Sequence, residues 1–308
     1  SIFLLDRKIV TINETPANNI LTFSLVQWNT LCHVYCKPHI YPKTAREHLE
    51  TQHRRNLLEK EIKDYNADFY CLEEVCCQEV EFFRSILKED EYSHHFAKKR
   101  YTTDGLFFFH RNKFEFVNRF TQHYRSPMTG KDFNQLVSIN TFKIPIPGTQ
   151  DHMLLMIAFT HLKAEIWSTF KRNQQGKQLV KIIEEKREEC LKMVNGDASK
   201  FAMILCGDFN EPPQSKLVQD IKKHFDFDSG FEDLAFSAFQ MRRYWYIPMN
   251  VKKVIDHVLF SKNLVLLEKN VLPSEELIQQ TGIPNEYYPS DHLSLYSKFS
   301  LTYPKLKL

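Results

Sequence analysis

The chain of 308 residues contains no apolar run approaching the ~20 residues that a bilayer-spanning helix requires, so a helical membrane protein is not expected. The N-terminal SIFLLDRKIVTINE has too short an apolar stretch, and the wrong order of charge, for a secretory signal. The chain begins at Ser1 rather than Met, which leaves room for a targeting segment upstream. No Gly/Ser linker, low-complexity tract or fixed-period repeat divides it. A single domain over residues 21–303 is therefore expected, with residues 1–20 as an edge segment or lead-in. The seven cysteines follow no disulfide or zinc-finger spacing. Cys71 and Cys206 lie in apolar runs, Cys76 and Cys77 are adjacent, and Cys32 and Cys36 have no second pair. They read as reduced thiols of an intracellular, cytoplasmic protein, with no candidate nucleophile among them. A net charge of +3 is too small to diagnose a nucleic-acid binder, although a local basic groove is compatible with it.

What remains is an ordinary globular composition, 43% hydrophobic and 26% charged. The segment around which the chain is organised is FAMILCGDFNEPP, residues 201–213. Its apolar run suits a buried strand that stops at Gly207, and Pro212-Pro213 prevents its resumption. Asp208 and Asn210 are then delivered at the carboxyl end of a core strand, where ligands sit in layered α/β proteins. Two residues apart in extended backbone, they would point the same way. Further strands are expected at 21–28, 69–72, 106–109, 114–117, 136–144, 153–160, 254–260, 264–272 and 293–301. Asp104-Gly105 reads as a hairpin turn before the third of these. Helical spacing runs through 44–65, 80–87, 168–194 and 217–225. The strands outnumber the helices and are spread along the chain, which predicts an α/β protein with two mixed β-sheets facing each other and helices outside.

A polar residue recurs where each apolar strand ends. Asn29, Glu74, His161, Asp208 with Asn210, Asp256, and Asp291 with His292 all occupy such positions. Each has an ordinary explanation taken alone, as a turn former, a helix cap or a satisfied core histidine. Two facing sheets would gather them on one rim of carboxylates, amides and imidazoles without a thiol. That donor set suits Mg²⁺ or Mn²⁺ rather than zinc, and a hard cation beside a water-activating carboxylate suits hydrolysis of phosphate esters.

In this order, QWNTL, LEEV, THLKA, CGDFNEPP, IDHVLFS and YPSDHLSL resemble the motifs of the endonuclease/exonuclease/phosphatase superfamily. Within it the similarity runs to the deadenylase-like branch, on its nocturnin side, through His161–Ala164, Gln175-Gly176 and Asn134-Gln135. The resemblance covers residues 21–301 and implies a four-layer α/β sandwich with a single active site at the sheet rims. It implies Glu74 as principal Mg²⁺ ligand with Asn29 beside it and Asp291 near the metal. Asp208 would activate water, Asn210 would orient the phosphate, and His292, its tautomer set by Asp256, would contact the scissile phosphate. His161 and Lys163 would hold the phosphate, and Lys98 and Asn134 would meet the substrate.

The chain departs from that pattern in places. LEEV stands where LQEV is usual, which adds the Glu73 charge beside Glu74. Glu165 follows THLKA where a basic residue meets a phosphorylated substrate, and His257 stands where an aromatic is expected. Arg242, Arg243 and Trp245, in a basic aromatic segment, could grip a single strand by charge and stacking. The resulting expectation is a Mg²⁺-dependent 3′-exoribonuclease of deadenylase type that releases 5′-AMP from poly(A), its partner a single-stranded RNA. The alternatives are a 2′-phosphatase acting on NADP(H), a nucleotide-type phosphate ester, then a 2′,5′-phosphodiesterase or a catalytically silent binding homologue.

Overall fold

The computed structural model describes residue 5, residues 7–244 and residues 247–303. Two sheets face each other. The first has seven strands: β1 (Ile9–Thr11), β2 (Asn19–Asn29), β3 (Phe69–Cys76), β4 (Tyr92–Lys98), β5 (Asp104–Arg111), β14 (Leu264–Asn270) and β15 (Leu295–Thr302). Their spatial order is β1-β14-β15-β2-β3-β5-β4. The second has six: β6 (Glu115–Arg125), β7 (Asp132–Pro145), β8 (His152–Thr160), β9 (Phe201–Asp208), β10 (Asp228–Ser229) and β13 (Asp256–Phe260). Here the order is β10-β13-β9-β8-β7-β6. A separate hairpin pairs β11 (Ala238–Tyr244) with β12 (Ile247–Lys253). The core between the sheets is aromatic and aliphatic, with Phe23, Phe69, Phe108, Phe142, Ile204 and Phe299 buried in it.

Helices α1 (Thr51–Tyr65) and α2 (Val80–Ile86) cover the outer face of the first sheet. Helices α3 (Thr169–Met193) and α4 (Lys216–Phe225) cover the second. The expected four layers are present. Local sequence explains the helix ends. Asn66 and Asp226 take left-handed backbone (φ 45° and 52°) just after α1 and α4, and the Ser215 hydroxyl accepts from the Val218 amide to cap α4. On α3 the inward side chains Leu179, Ile183, Cys190 and Val194 match the helical spacing read from sequence.

Pairing directions put the strand ends where chemistry can meet. Only two pairs are parallel among the described residues: β2 with β3, connected through α1, and β8 with β9, connected through α3. A parallel pair delivers both carboxyl ends to the same rim. That rim therefore receives Asn29 and Glu74 from one sheet, His161 and Asp208 from the other.

Some local expectations change. Asp104-Gly105 is not a turn but the start of β5, with Lys98 opposite Gly105, and the connection lies at 99–103. Gly105 serves close packing, since a Cβ there would lie 2.4 Å from the Ala97 carbonyl oxygen. Strand β9 likewise runs through Gly207 to Asp208. Gly207 (φ 137°) leaves no room for a side chain, because its Cβ would meet the Thr160 carbonyl oxygen at 1.9 Å. Within the N-terminal segment, β1 pairs with β14, and the buried Arg7 donates to the Val271 carbonyl oxygen at 3.1 Å.

Candidate active site

Two backbone irregularities aim the carboxylates. On β3, residues 73 and 74 stand where the partner strand β5 supplies one, so the register shifts between Leu72 and Val75. Such a bulge re-aims side chains. Glu74 takes a positive φ of 55° and its side chain, 14% exposed, reaches the rim. Glu73 is turned beneath it and is fully buried. At the end of β9, Asn210 also takes a positive φ, 52°, so the extended geometry expected between it and Asp208 is not found. Its amide N–H instead donates to Asp208 Oδ1 at 2.9 Å and its side chain to the Leu162 carbonyl oxygen at 3.1 Å. Asn210 thereby ties the Asp208 turn to the end of β8.

Asp208 is the meeting point. Its Oδ2 accepts from Asn29 Nδ2 at 3.1 Å and lies 3.6 Å from His161 Nε2 and 3.7 Å from His292 Nε2. Burial is the largest influence on its carboxyl, which is pushed up to about 7 against the pull of the His292 charge. A carboxyl poised there matches the need of a general base at neutral pH.

His292 is held from its other side. Its Nδ1 donates to Asp256 Oδ2 at 2.8 Å, and that oxygen also accepts from Ser237 at 2.6 Å. Asp256 stands directly opposite Asp208 in the β13/β9 ladder, which fixes the pair's separation. Burial alone would depress His292, yet the charges of Asp256 and then Asp208 outweigh it and hold the ring well above its usual value. Gln240 Nε2 lies 3.1 Å from His292 Nε2, and its amide serves the charged ring by presenting its oxygen instead.

His161 behaves oppositely. Burial, then the adjacent Lys99, drives it well below its usual value, so the ring is neutral. Lys99 Nζ is 3.3 Å from His161 Nδ1 and has only protons to offer, so Nδ1 accepts and Nε2–H faces Asp208. Lys99 also pairs with the buried Asp104 at 2.6 Å.

Asn29 presents its nitrogen, not its oxygen, to the carboxylates. Nδ2 reaches Glu74 Oε1 at 3.3 Å as well as Asp208, while Oδ1 accepts from the Leu31 amide at 3.1 Å. Asp291 is buried at the back of the rim, where its Oδ2 accepts from Tyr41 at 2.7 Å and from Arg242. Its Oδ1 is buried without a partner, a carboxylate oxygen with an open lone pair. Burial would raise its carboxyl, but Arg242 and His292 hold it below the usual range.

The donor chemistry fits a cation. Asp208, Asp256 and His292 bring polar atoms within 4.8 Å of one another, a buried acidic and histidine cluster of the kind that holds a divalent ion, and with the His292 ring protonated its carboxylates are the groups with lone pairs to give. The partnerless oxygen of Asp291 and the carboxylate of Glu74, which feel each other's charge, extend the oxygen donors along the rim.

The remaining candidates lie around this centre. Lys163 Nζ pairs with Glu165 at 3.0 Å, and Glu165 accepts also from Ser168 at 3.0 Å. Asn134 is occupied in holding the 99–103 loop, through the Tyr101 amide at 2.8 Å and Thr102 at 2.9 Å. Lys98 is exposed, and its neighbour Lys99 is the lysine that reaches the cluster. Ala97 and Lys99 are both buried, on the inward face that alternation gives them, while Lys98 between them faces out. Arg242 is committed to Asp291 and lies 5.6 Å over the Tyr41 ring, whereas Arg243 is exposed on the hairpin. Trp245 lies outside the described residues. His257, in the place of an aromatic, is buried with Nε2 at 2.8 Å from the Glu211 carbonyl oxygen. Sequence reading also passed over Gln27, Ser237 and Gln240, polar residues that act only through contacts distant in the chain.

Known proteins share this fold and stretches of this sequence. The sequence profile of the endonuclease/exonuclease/phosphatase family matches residues 26–292. Human nocturnin is 28% identical over 301 residues, covering 90% of this chain and 65% of its own length. The Ccr4 3′-5′-exoribonuclease subunit of the CCR4-Not complex from Candida albicans is 25% identical over 327 residues, covering 91% of this chain and 41% of its own. This chain thus spans less than two thirds of these relatives. Among solved structures, the human nocturnin catalytic domain with bound sulfate superposes at a TM-score of 0.70 with 22% identity, covering 96% of this chain and 98% of that one. ANGEL2, a 2′,3′-cyclic phosphatase in complex with adenosine-2′,3′-vanadate, gives 0.75 with 19% identity, covering 97% and 99%. At those identities the structures speak for the fold, and the profile match speaks for descent: the chain belongs to the endonuclease/exonuclease/phosphatase family.

Proposed function

We propose that this protein is a Mg²⁺-dependent phosphohydrolase that removes a ribose-linked phosphate from a small nucleotide, of the NADP(H) 2′-phosphate class. The observation that carries the choice of substrate is the ion pair between Lys163 and Glu165 at 3.0 Å. Read from sequence, Glu165 is a bare carboxylate that repels a phosphorylated ligand. In the fold it is paired with Lys163 and hydrogen-bonded to Ser168, so its charge is offset rather than bare. The features expected to grip an RNA strand are thinner than the sequence implied, because Arg242 is spent on Asp291. Among structural neighbours, ANGEL2 acts as a 2′,3′-cyclic phosphatase, and that chemistry is also confined to a ribose phosphate.

In this reading Glu74 and Asp291 would hold the ion, with Asn29 bracing Glu74 and Asp208 from between. When bound, Mg²⁺ supplies Lewis-acid neutralisation of the phosphoryl oxygens. Asp208 takes a proton from the attacking water as the water oxygen bonds to phosphorus. The phosphorus–ribose oxygen bond breaks, and the ribose oxygen takes a proton from solvent water, to which Asp208 returns the one it received. His292, protonated and fixed by Asp256, donates to a phosphoryl oxygen as charge develops there. His161 donates from Nε2 and Lys99 holds its tautomer.

The second reading is a 3′-exoribonuclease, favoured by the similarity to the Ccr4 subunit and by the exposed Arg243. A matched assay on NADP(H), 2′,3′-cyclic AMP, 2′,5′-linked adenylate and oligo(A) separates the two. Phosphate release from NADP(H) is expected to be fastest. Faster AMP release from oligo(A) would hand the assignment to the second reading.

A further inference from the structure

Beside the oxygen-rich rim lies a cluster of different chemistry. Cys32 and His33 follow the end of β2, and Cys76 ends β3, just past the bulge that carries Glu74. One ligand atom from each of the three lies within 4.8 Å of the others. Both cysteines are buried, whereas the His33 side chain is 25% exposed, so the cluster is reachable from solvent on one side. We propose that Cys32, His33 and Cys76 form a second cation site that takes a thiophilic divalent ion of the zinc type.

Two sulfurs and an imidazole nitrogen are the donor set that selects zinc over magnesium, as surely as carboxylates alone select the reverse. A tetrahedral ion with Zn–S bonds of about 2.3 Å sets two sulfurs about 3.8 Å apart, inside the 4.8 Å span of the cluster. Each thiol enters as thiolate, so binding releases two protons to solvent. The histidine has the outer support that metal-bound imidazoles commonly show. Its Nδ1 lies 3.3 Å from Glu79 Oε2, and the buried Glu79 is itself anchored by Arg55 at 3.1 Å. A proton on Nδ1 donated to Glu79 would leave the Nε2 lone pair for the ion. Three protein ligands leave a fourth position for water. The site is mechanically joined to the rim, because the Cys32 amide donates to Glu74 Oε2 at 3.3 Å and Cys76 is two residues beyond Glu74. An ion here therefore braces the loop and strand end that aim Glu74.

Cobalt reports thiolate ligation by its charge-transfer absorption and tests the site without turnover. Reduced, chelator-stripped protein in excess Mg²⁺ is titrated with Co²⁺. One equivalent should develop the thiolate band, and Zn²⁺ should displace it. The band should survive in Asp208→Asn, which impairs the hydrolytic centre, so failure here and failure of the proposed function are separate results. It should be lost in Cys32→Ser/Cys76→Ser. If that double variant does not fold, His33→Ala, at a half-buried position, should keep the band but weaken cobalt binding at least tenfold. No thiolate band in wild type, a band that persists in the folded double variant, or unchanged affinity in His33→Ala would overturn the proposal.

Discussion

Asp208 gathers the Asn29 amide and two histidines at a single oxygen, and its own carboxyl is raised by burial to about 7. Removing its basicity is expected to cut kcat/KM by roughly 10²–10⁴-fold in Asp208→Asn, with the melting temperature little changed. A loss of only a few-fold would mean that another group handles the water. Glu73 offers a prediction about stability. It is wholly buried, its Oε2 accepts from Gln27 at 2.9 Å and its Oε1 has no partner. Burial, with Cys206, Asp256 and Asp208 around it, lifts its carboxyl well above the usual range. The folded protein then keeps this proton to a higher pH than the unfolded chain does. Stability from this group is full below about pH 4.3 and declines as pH rises toward the folded value. Glu73→Gln has no such slope, so in EDTA its melting temperature should gain on wild type as pH rises from 4 toward 8. A gap independent of pH would show that Glu73 is not the buried proton holder. The strand-end polar residues were legible because an apolar run followed by a single acid or amide leaves few alternatives. Lys99 was not, since two adjacent lysines differ only in which face of β4 they take.

Elements set where these residues meet. Strands β2 and β8 each pass through a helix to a parallel neighbour, and both pairs end at one rim. Sequence reading placed the strands that carry these ends, yet it put a turn at Asp104-Gly105 and stopped β9 at Gly207. Local glycine looks like punctuation in a sequence. Its reason here is a close approach by another strand, Ala97 in one case and Thr160 in the other, which no local rule contains. Gly207→Ala should accordingly cost more than about 3 kcal/mol or abolish soluble expression, because the obstacle is a backbone carbonyl that cannot turn aside. A wild-type melt in that variant would contradict the packing described. Arg54 of α1 donates at 2.6 Å to the Pro289 carbonyl oxygen, at 2.8 Å to that of Thr30, and also to that of Leu31. It fastens the loop bearing Asp291 and His292 to the end of β2. Arg54→Met should destabilise by about 2–4 kcal/mol, by leaving buried carbonyls unpaired, and should lower kcat more than it raises KM. A chemical melt and steady-state kinetics on the same preparation check both halves.

The whole molecule supplies what no segment holds: two sheets whose facing closes a rim. The layered architecture followed from the number and spread of apolar strands, and the gathering of Asn29, Glu74, Asp208 and His292 followed from their placement at strand ends. The cluster of Cys32, His33 and Cys76 did not, because Cys76 is far along the chain from the Cys32-His33 pair and joins it across the β2–β3 pair. Charge commitments were equally hidden. Arg242 and Glu165 look free in sequence, and each is neutralised by a partner the fold supplies, Asp291 and Lys163. No helix among the described residues is long and apolar enough to cross a membrane. The claim on which the functional account turns is that this rim works as one metal-dependent hydrolytic centre. It is tested most directly by phosphate release from NADP(H), measured for wild type and Asp208→Asn in Mg²⁺ and after EDTA. The account predicts turnover in wild type that EDTA abolishes and added Mg²⁺ restores, and next to none in Asp208→Asn. Undiminished release in EDTA, or an Asp208→Asn rate within a few-fold of wild type, would contradict it.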